Sequence, residues 1–260
     1  MTLTQDPALG AKLAEIAVRA ADLILPLWRR TDVTVHAKAD ESPVTEADRR
    51  AETLILEALH AQWPDIPVIS EEHASEFGTP DAIGPAFFLV DPLDGTKAFI
   101  RGDPNFTVNI ALIVDGLPVV GAVVAPPSGE VWHTTAQGAV KRMGEELPSA
   151  AKPVRPRPWN AATAVALISH TMKEDEAVAL AEQYGFAERV AMDSSIKFCR
   201  IAEGSADIYP RHGPTMEWDT AAGHAVLAAA GGQVQTPEGT PFLYGKADQK
   251  FRNGWFVARA

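Results

Sequence analysis

The sequence predicts a layered α/β fold, of the α/β or α+β class. Two observations carry that expectation. Apolar residues at helical spacing alternate along the chain with short β-branched and aromatic runs, and both patterns occur in both halves. The chain also has 260 residues of which 46% are hydrophobic, enough for one large domain or two intimately joined halves around a proper core.

Leu13, Ile16, Ala17, Ala20, Ile24 and Leu27 recur at helical spacing and predict an amphipathic helix over 8–29. Thr45 opens a second helix with Ala47, Ala51, Leu54, Ile55, Ala58 and Leu59 on its buried face, closed by Trp63-Pro64. Residues 67–70 read as a short buried strand ending at Glu71-Glu72, and 86–90 as an apolar strand running into Asp91. Residues 106–114, 119–125 and 131–134 read as consecutive antiparallel strands, with Asp115-Gly116 as a hairpin turn. The segment 147–160 contains Pro148, Pro153, Pro156 and Pro158 and is the candidate boundary between a 1–150 unit and a 151–260 unit. The second unit opens with a strand over 164–168. A helix over 173–184 ended by Gly185, a helix around 194–204 and a strand over 206–209 follow. An Ala-rich helix over 218–230 then closes at Gly231-Gly232. There is no internal repeat.

The formal net charge of -11 argues against a nucleic-acid polymer as partner, because phosphate backbones demand clustered Lys and Arg. It leaves room for a small anion, since a bound metal reverses the local field. A single cysteine, Cys199, forbids an intrachain disulfide and fits a reducing compartment. The N-terminus lacks the basic-then-apolar pattern of a signal peptide, and no apolar run reaches about 18 residues. A cytoplasmic protein is expected, with peripheral association with the inner membrane left open, as monomer or homodimer.

Acidic residues stand at strand ends and helix starts: Asp48, Glu71-Glu72, Asp91 with Asp94, and Asp219. Magnesium pairs a few carboxylates with water and substrate phosphate, and ligands of open sheets sit at strand ends. In Asp91-Pro92-Leu93-Asp94-Gly95-Thr96 two carboxylates three residues apart can converge on one or two cations. Gly95 permits a tight path, Gly95 and Thr96 can offer N–H groups to a phosphate, and the Thr96 hydroxyl can position a water. Each acid also has a plainer reading. Asp-x-x-Asp fits a turn with two caps. Thr45-x-x-Asp48 fits a capping box, Asp219 fits a helix-start acid, and Glu71-Glu72 fits a solvated loop. Spacing alone does not choose.

Read together, Ile69-Ser70-Glu71-Glu72, Asp91 to Thr96, and Trp218-Asp219-Thr220-Ala221-Ala222-Gly223 resemble the ordered signature motifs of the inositol monophosphatase superfamily. Ser42-Pro43-Val44-Thr45-Glu46-Ala47-Asp48 resembles its upstream metal segment. Within it, Phe106 to Ile113, Ser194-Ser195-Ile196-Lys197-Phe198-Cys199, and Tyr209-Pro210-Arg211-His212-Gly213-Pro214-Thr215 resemble the CysQ-type 3'(2'),5'-bisphosphate nucleotidases. The resemblance implies an αβαβα sandwich of the inositol monophosphatase/fructose-bisphosphatase kind and lithium-sensitive magnesium dependence. It also implies removal of the 3'-phosphate of adenosine 3',5'-bisphosphate (PAP) to give AMP, with the sulfated precursor PAPS as a further substrate.

By that resemblance Glu71, Asp91 and the Leu93 carbonyl hold one magnesium, Asp91, Asp94 and Asp219 a second, and Asp48 with Glu71 a weaker third. Thr96, hydrogen-bonded to Asp48, orients or deprotonates the attacking water, with Glu71 in the catalytic group. Substrate contacts fall to Gly95, Thr96, Asp219 and a second-phosphate group of Ser194, Lys197 and Arg211. The Ser-x-x-Lys spacing is expected to put Ser194 and Lys197 on one helix face. Lys38 is expected to add positive field. One departure stands out: Ser169-His170-Thr171-Met172 has Met172 where many relatives carry His, and His170 two residues away is the alternative contact. Trp28, Trp63 and Trp255 are expected to pack, Cys199 to be inert core, and Glu72 to be solvent-facing or to support the site indirectly. The competing readings are a broader inositol or sugar phosphatase and a non-catalytic phosphonucleotide sensor.

Overall fold

The computed structural model describes residues 6–30, 35–37 and 43–260. Lys38 and Ser42 lie outside the described residues. Helix α1 (Leu9–Ile24) gives way to a 3₁₀ turn (Leu25–Leu27) at Pro26, earlier than predicted, because proline cannot continue the helical hydrogen bonding. Strands β1 (Val35–Ala37) and β2 (Pro43–Thr45) pair, and β2 runs into α2 (Glu46–Gln62). Next come β3 (Val68–Ser70), α3 (Glu71–Phe77), β4 (Ala86–Asp94) and α4 (Thr96–Arg101). The meander β5 (Thr107–Val114), β6 (Leu117–Ala125), β7 (Glu130–Thr135), β8 (Gly138–Met143) and β9 (Lys152–Val154) follows. The remainder is β10 (Val165–Ile168), α5 (Glu174–Tyr184), β11 (Glu188–Ala191), α6 (Ile196–Ala202), β12 (Ile208–Arg211), α7 (Glu217–Ala230), β13 (Gln233–Gln235) and β14 (Phe256–Arg259).

A seven-stranded sheet runs β3-β4-β5-β6-β7-β8-β9, with only the β3–β4 pair parallel. Alternation sorts its faces. Phe88, Val90, Val108, Ile110 and Leu112 pack on α1 and α2. Phe87, Leu89, Ala111 and Ile113 face α6 and α7. Full burial of each such side chain contributes about 1.5–3 kcal/mol. The other side of α6 and α7 is covered by a five-stranded sheet, β11-β10-β12-β14-β13, through Tyr209, Phe256 and Ala258. Helix α5 closes that sheet's outer face over Ala166, Ile168 and Val257. The result is helix–sheet–helix–sheet–helix, an αβαβα sandwich.

The two halves share one core. The proline-rich 147–160 segment carries β9, which pairs into the first sheet beyond residue 150, and α7 packs on β5 and β6. The close approach of α6 to α7 depends on Gly223, where a Cβ would lie 2.5 Å from Phe198. Elements absent from the sequence expectation are short or lack periodicity. All four residues of β11 are exposed, so no alternation marks it.

Candidate active site

Strand β4 does not stop at Val90. It continues through Pro92 to Asp94, with an irregular register opposite β5 between Asp91 and Asp94. That bulge lets Asp91 and Asp94 leave the regular alternation at the sheet's end. Gly95 follows with φ 98°, and a Cβ there would meet Asn105 O at 3.0 Å, so the turn into α4 requires glycine. Glu71 is the first residue of α3, directly after β3. Asp219 sits in the first turn of α7, where its Oδ2 accepts from Met216 N at 2.8 Å.

Asp48 does form the capping box its spacing allowed. Its Oδ2 accepts from Thr45 N at 2.8 Å and from Thr45 Oγ1 at 2.5 Å. Its Oδ1, however, accepts from Thr96 Oγ1 at 3.1 Å, and the same hydroxyl lies 3.2 Å from Leu93 O. The cap and the link to Thr96 therefore coexist on one carboxylate.

The acids feel one another. Burial, then the charges of Glu71, Asp94 and Asp219, push the Asp91 carboxyl well above its ordinary range. Asp219 is raised well above its range by burial and then by Asp94 and Glu71. Burial raises Asp94 too, against opposing help from Lys197 and the Ser195 N–H, which donates to Asp94 Oδ2 at 2.5 Å. Among the described residues no three acidic, His or Cys side chains are drawn in far enough to hold a metal ion as they stand. A bound cation would relieve the mutual repulsion of these acids. Hard carboxylate and carbonyl oxygens at buried, mutually repelling positions fit magnesium.

These groups line a cleft of about 440 Å³ together with Thr96, Ser194, Lys197 and Arg211, within the range of small-molecule sites. Asp48 is linked to it through Thr96. The Ser194 and Lys197 geometry differs from expectation. Helix α6 begins at Ile196, and Ser194 lies outside it at φ 68°, so the two do not share a helix face. Lys197 instead folds back, donating from Nζ to Ser194 O at 2.7 Å and Met192 O at 3.1 Å, 4.7 Å over the Tyr209 ring. Its burial, against the opposing charge of Asp94, lowers its pKa to about 8. Arg211 donates to Pro214 O at 3.0 Å.

Met172 packs with the core beneath α5, while His170 lines the cleft with Nδ1 3.3 Å from Asp193 Oδ1. Trp28 and Trp63 pack on Phe106 and Phe88 as expected. Trp255 does not: it is 56% exposed and stacked on His212. Glu72 is buried rather than solvent-facing, because α3 turns it inward. Cys199 is fully buried, and burial raises its thiol pKa well above the ordinary value.

Sequence reasoning missed a polar chain joining the halves. Thr107 Oγ1 lies 2.5 Å from Ser194 Oγ and 2.9 Å from Ser195 Oγ, which donates to Asn109 Oδ1 at 2.7 Å. The signal was present: Thr107 and Asn109 are polar residues two apart in an otherwise apolar strand, hence on one face. Glu52 was missed too. One turn after Asp48, it accepts from Glu72 N at 3.0 Å and His73 N at 3.1 Å, tying α2 to the start of α3.

With that geometry in place, comparison with known proteins is decisive. The sequence model of the inositol monophosphatase family matches residues 7–255. The chain belongs to the inositol monophosphatase family. It is 40% identical over 248 residues to the 3'(2'),5'-bisphosphate nucleotidase CysQ of Escherichia coli K12, covering 95% of this chain and 98% of that protein. The Buchnera aphidicola protein of the same name is 37% identical over 254 residues, covering 96% of this chain and 92% of that one. Among solved structures, CysQ from Bacteroides thetaiotaomicron, a bacterial member of this family, aligns with a TM-score of 0.79 and 32% identity over 98% of both chains. An inositol monophosphatase from Thermotoga maritima shares the fold at a TM-score of 0.73 and 23% identity, covering 95% of this chain and 89% of that one. Family members thus share the sandwich, and this chain's cleft lies between its two sheets' contributions.

Proposed function

We propose that this protein is a magnesium-dependent 3'(2'),5'-bisphosphate nucleotidase, releasing the 3'-phosphate of adenosine 3',5'-bisphosphate to give AMP, with PAPS as a further substrate. The observation that carries this reading is the acid cluster of Glu71, Asp91, Asp94 and Asp219, placed in one cleft with Thr96 and with cationic side chains. The likeness to nucleotidases at 40% identity supports the choice of substrate.

In this reading Glu71, Asp91 and Leu93 O hold one magnesium, and Asp91, Asp94 and Asp219 a second. Asp48 with Glu71 belongs to a weaker third. Bound magnesium supplies charge neutralisation at the phosphate and an acidified water. The rest is done by the chain. Asp48, fixed by two bonds from Thr45, keeps Oδ1 for the Thr96 hydroxyl, so Thr96 Oγ1 has its lone pairs aimed away and can take a hydrogen bond from water. As that water attacks, its proton passes to Thr96 Oγ1 while the Thr96 proton passes to Asp48 Oδ1. Main-chain N–H groups of Gly95 and Thr96 take the reacting phosphate, and Asp219 orients the neighbouring sugar hydroxyl. Ser194 fixes the wall facing them through Thr107, and Lys197 and Arg211 add positive field. We further propose a cytoplasmic setting, supported by the single cysteine. Among the described residues no helix is long and apolar enough to cross a membrane.

The test is phosphate release under matched magnesium from adenosine 3',5'-bisphosphate, PAPS, inositol 1-phosphate and fructose bisphosphate. The reading expects the nucleotide to lead by at least about tenfold in kcat/KM, the scale of one well-placed polar contact. Preference for inositol 1-phosphate contradicts it.

A further inference from the structure

The Asp219 carboxylate is only as well placed as Met216, whose N–H donates to its Oδ2 at 2.8 Å. Met216 stands just before α7, and it is held from the far end of the chain. Residues 251–253, between β13 and β14, run antiparallel to it. Glu217 N donates to Phe251 O at 2.8 Å and Asn253 N to Thr215 O at 2.9 Å. Asn253 Nδ2 then donates to Met216 O at 2.7 Å, and it lies 3.2 Å from Thr215 Oγ1 and 3.1 Å from Thr220 Oγ1. The two main-chain polar groups of Met216 are thus divided, the carbonyl to Asn253 and the N–H to Asp219. Glu217, wholly buried, anchors the same turn from another side, accepting from Gly245 N at 2.7 Å and Lys246 N at 3.0 Å.

We propose that Asn253 is a positioning residue for the metal carboxylate Asp219, acting through Met216. This rests on the magnesium reading above. A buried asparagine ordinarily does no more than tie loops together. Here its partners at 215, 216 and 220 bracket Asp219, so one amide sets the entry of α7 on both sides of that carboxylate. The charges of Asp94 and Glu71 push against Asp219, which makes an outside hold on it consequential. The strand that brings Asn253 there is itself strained. Lys250 and Phe251 have φ of 53° and 59°, a left-handed backbone unfavourable for residues with a Cβ. Phe251 is fully buried, edge-on to Phe87 with ring centroids 6.2 Å apart, and that packing keeps the conformation in place.

The experiment titrates the metal-free protein with magnesium by calorimetry. It uses wild type, Asn253→Ala, Asn253→Ser, Asp219→Asn, and Asp219→Asn combined with Asn253→Ala. Serine fills more of the site than alanine, but its hydroxyl ends one bond short of Nδ2. Both single Asn253 variants are expected to weaken magnesium binding by about tenfold, the scale of a lost partner behind a metal ligand. In the Asp219→Asn background the alanine change should shift binding by less than about twofold, because the ligand it acts through is gone. Glu130→Gln, which does not line the cleft, controls for lost stability and should leave magnesium binding unchanged. Asn253 variants that bind magnesium as wild type does, an equal loss with and without Asp219, or the same loss in Glu130→Gln overturns the inference while the magnesium reading stands. Binding by Asp219→Asn that matches wild type overturns that reading, and the inference with it.

Discussion

Two groups of largely half-buried acids in this molecule have opposite fates. Glu130 and Glu203, between β7, β8 and α6, are met by Arg200 at 2.6 and 2.7 Å and by Lys141 at 2.6 and 2.8 Å. Trp132 Nε1 adds a bond to Glu203 at 3.1 Å. Burial pushes Glu130 up, but hydrogen bonds from Arg200, Lys141 and Ser128 outweigh it and hold its pKa at about 2. Asp91, Asp94 and Asp219 have backbone donors and a distant Lys197 but no side-chain ion pair among the described residues, and burial pushes all three up. The residue types are the same. The difference is whether a cationic side chain meets the carboxylate at ion-pair distance. Where it does, acids pin α6 to the first sheet. Where it does not, a cation from outside would complete the charge balance, which is what the metal site proposed above requires.

The sharpest way to break this comparison is Asp94→Asn. In the cleft it should cut kcat by about a thousandfold or more while leaving the metal-free Tm equal or higher, because it removes a repelled charge. Steady-state turnover with thermal melting checks both. Thr96→Ala should lower kcat by about a hundredfold, the scale of a positioned acid–base group, with Thr96→Ser restoring most of it. Loss of Thr96 with unchanged kcat would break the link between Asp48 and water. In the paired cluster the order reverses: Glu130→Gln should cost about 2 kcal/mol in denaturant unfolding and leave kcat/KM unchanged.

The two clusters also titrate with opposite signs. Raised folded-state pKa values at Asp91, Asp94 and Asp219 mean that these three groups contribute stability to the metal-free fold below about 4, the unfolded carboxylate range, and lose it as pH rises, so the metal-free Tm of wild type should fall relative to that of Asp94→Asn as pH rises. Added magnesium should reverse that fall. Glu130, depressed to about 2, contributes stability that is present above its unfolded value and lost as pH falls through about 2. That loss, read as a wild-type-minus-Glu130→Gln difference in acid unfolding, is the smallest of these effects.

The alternation of Phe87 to Val90 and of Thr107 to Val114, and the spacings of α1, α2, α5 and α7, were legible because burial enforces a period. Motif order singled out Asp48, Glu71, Asp91, Asp94, Thr96 and Asp219 as candidates. What stayed hidden depends on local turns. The αL backbone at Ser194 delays α6 and turns Lys197 away from Ser194's side chain. Which of His170 and Met172 faces the cleft is set by the 169–172 loop. Periodicity speaks to faces of helices and strands, not to how a non-glycine residue at positive φ re-aims its neighbours.

The most direct test is calorimetric titration of the metal-free protein with magnesium, in buffers of different ionisation enthalpy, for wild type and Asp94→Asn. The account predicts saturable binding with proton release in wild type that diminishes as pH rises, because raised carboxyls must give up protons to bind metal, and binding weakened at least about tenfold in the variant. Identical isotherms for the two proteins, or no magnesium binding by a wild type that still turns over, would contradict it.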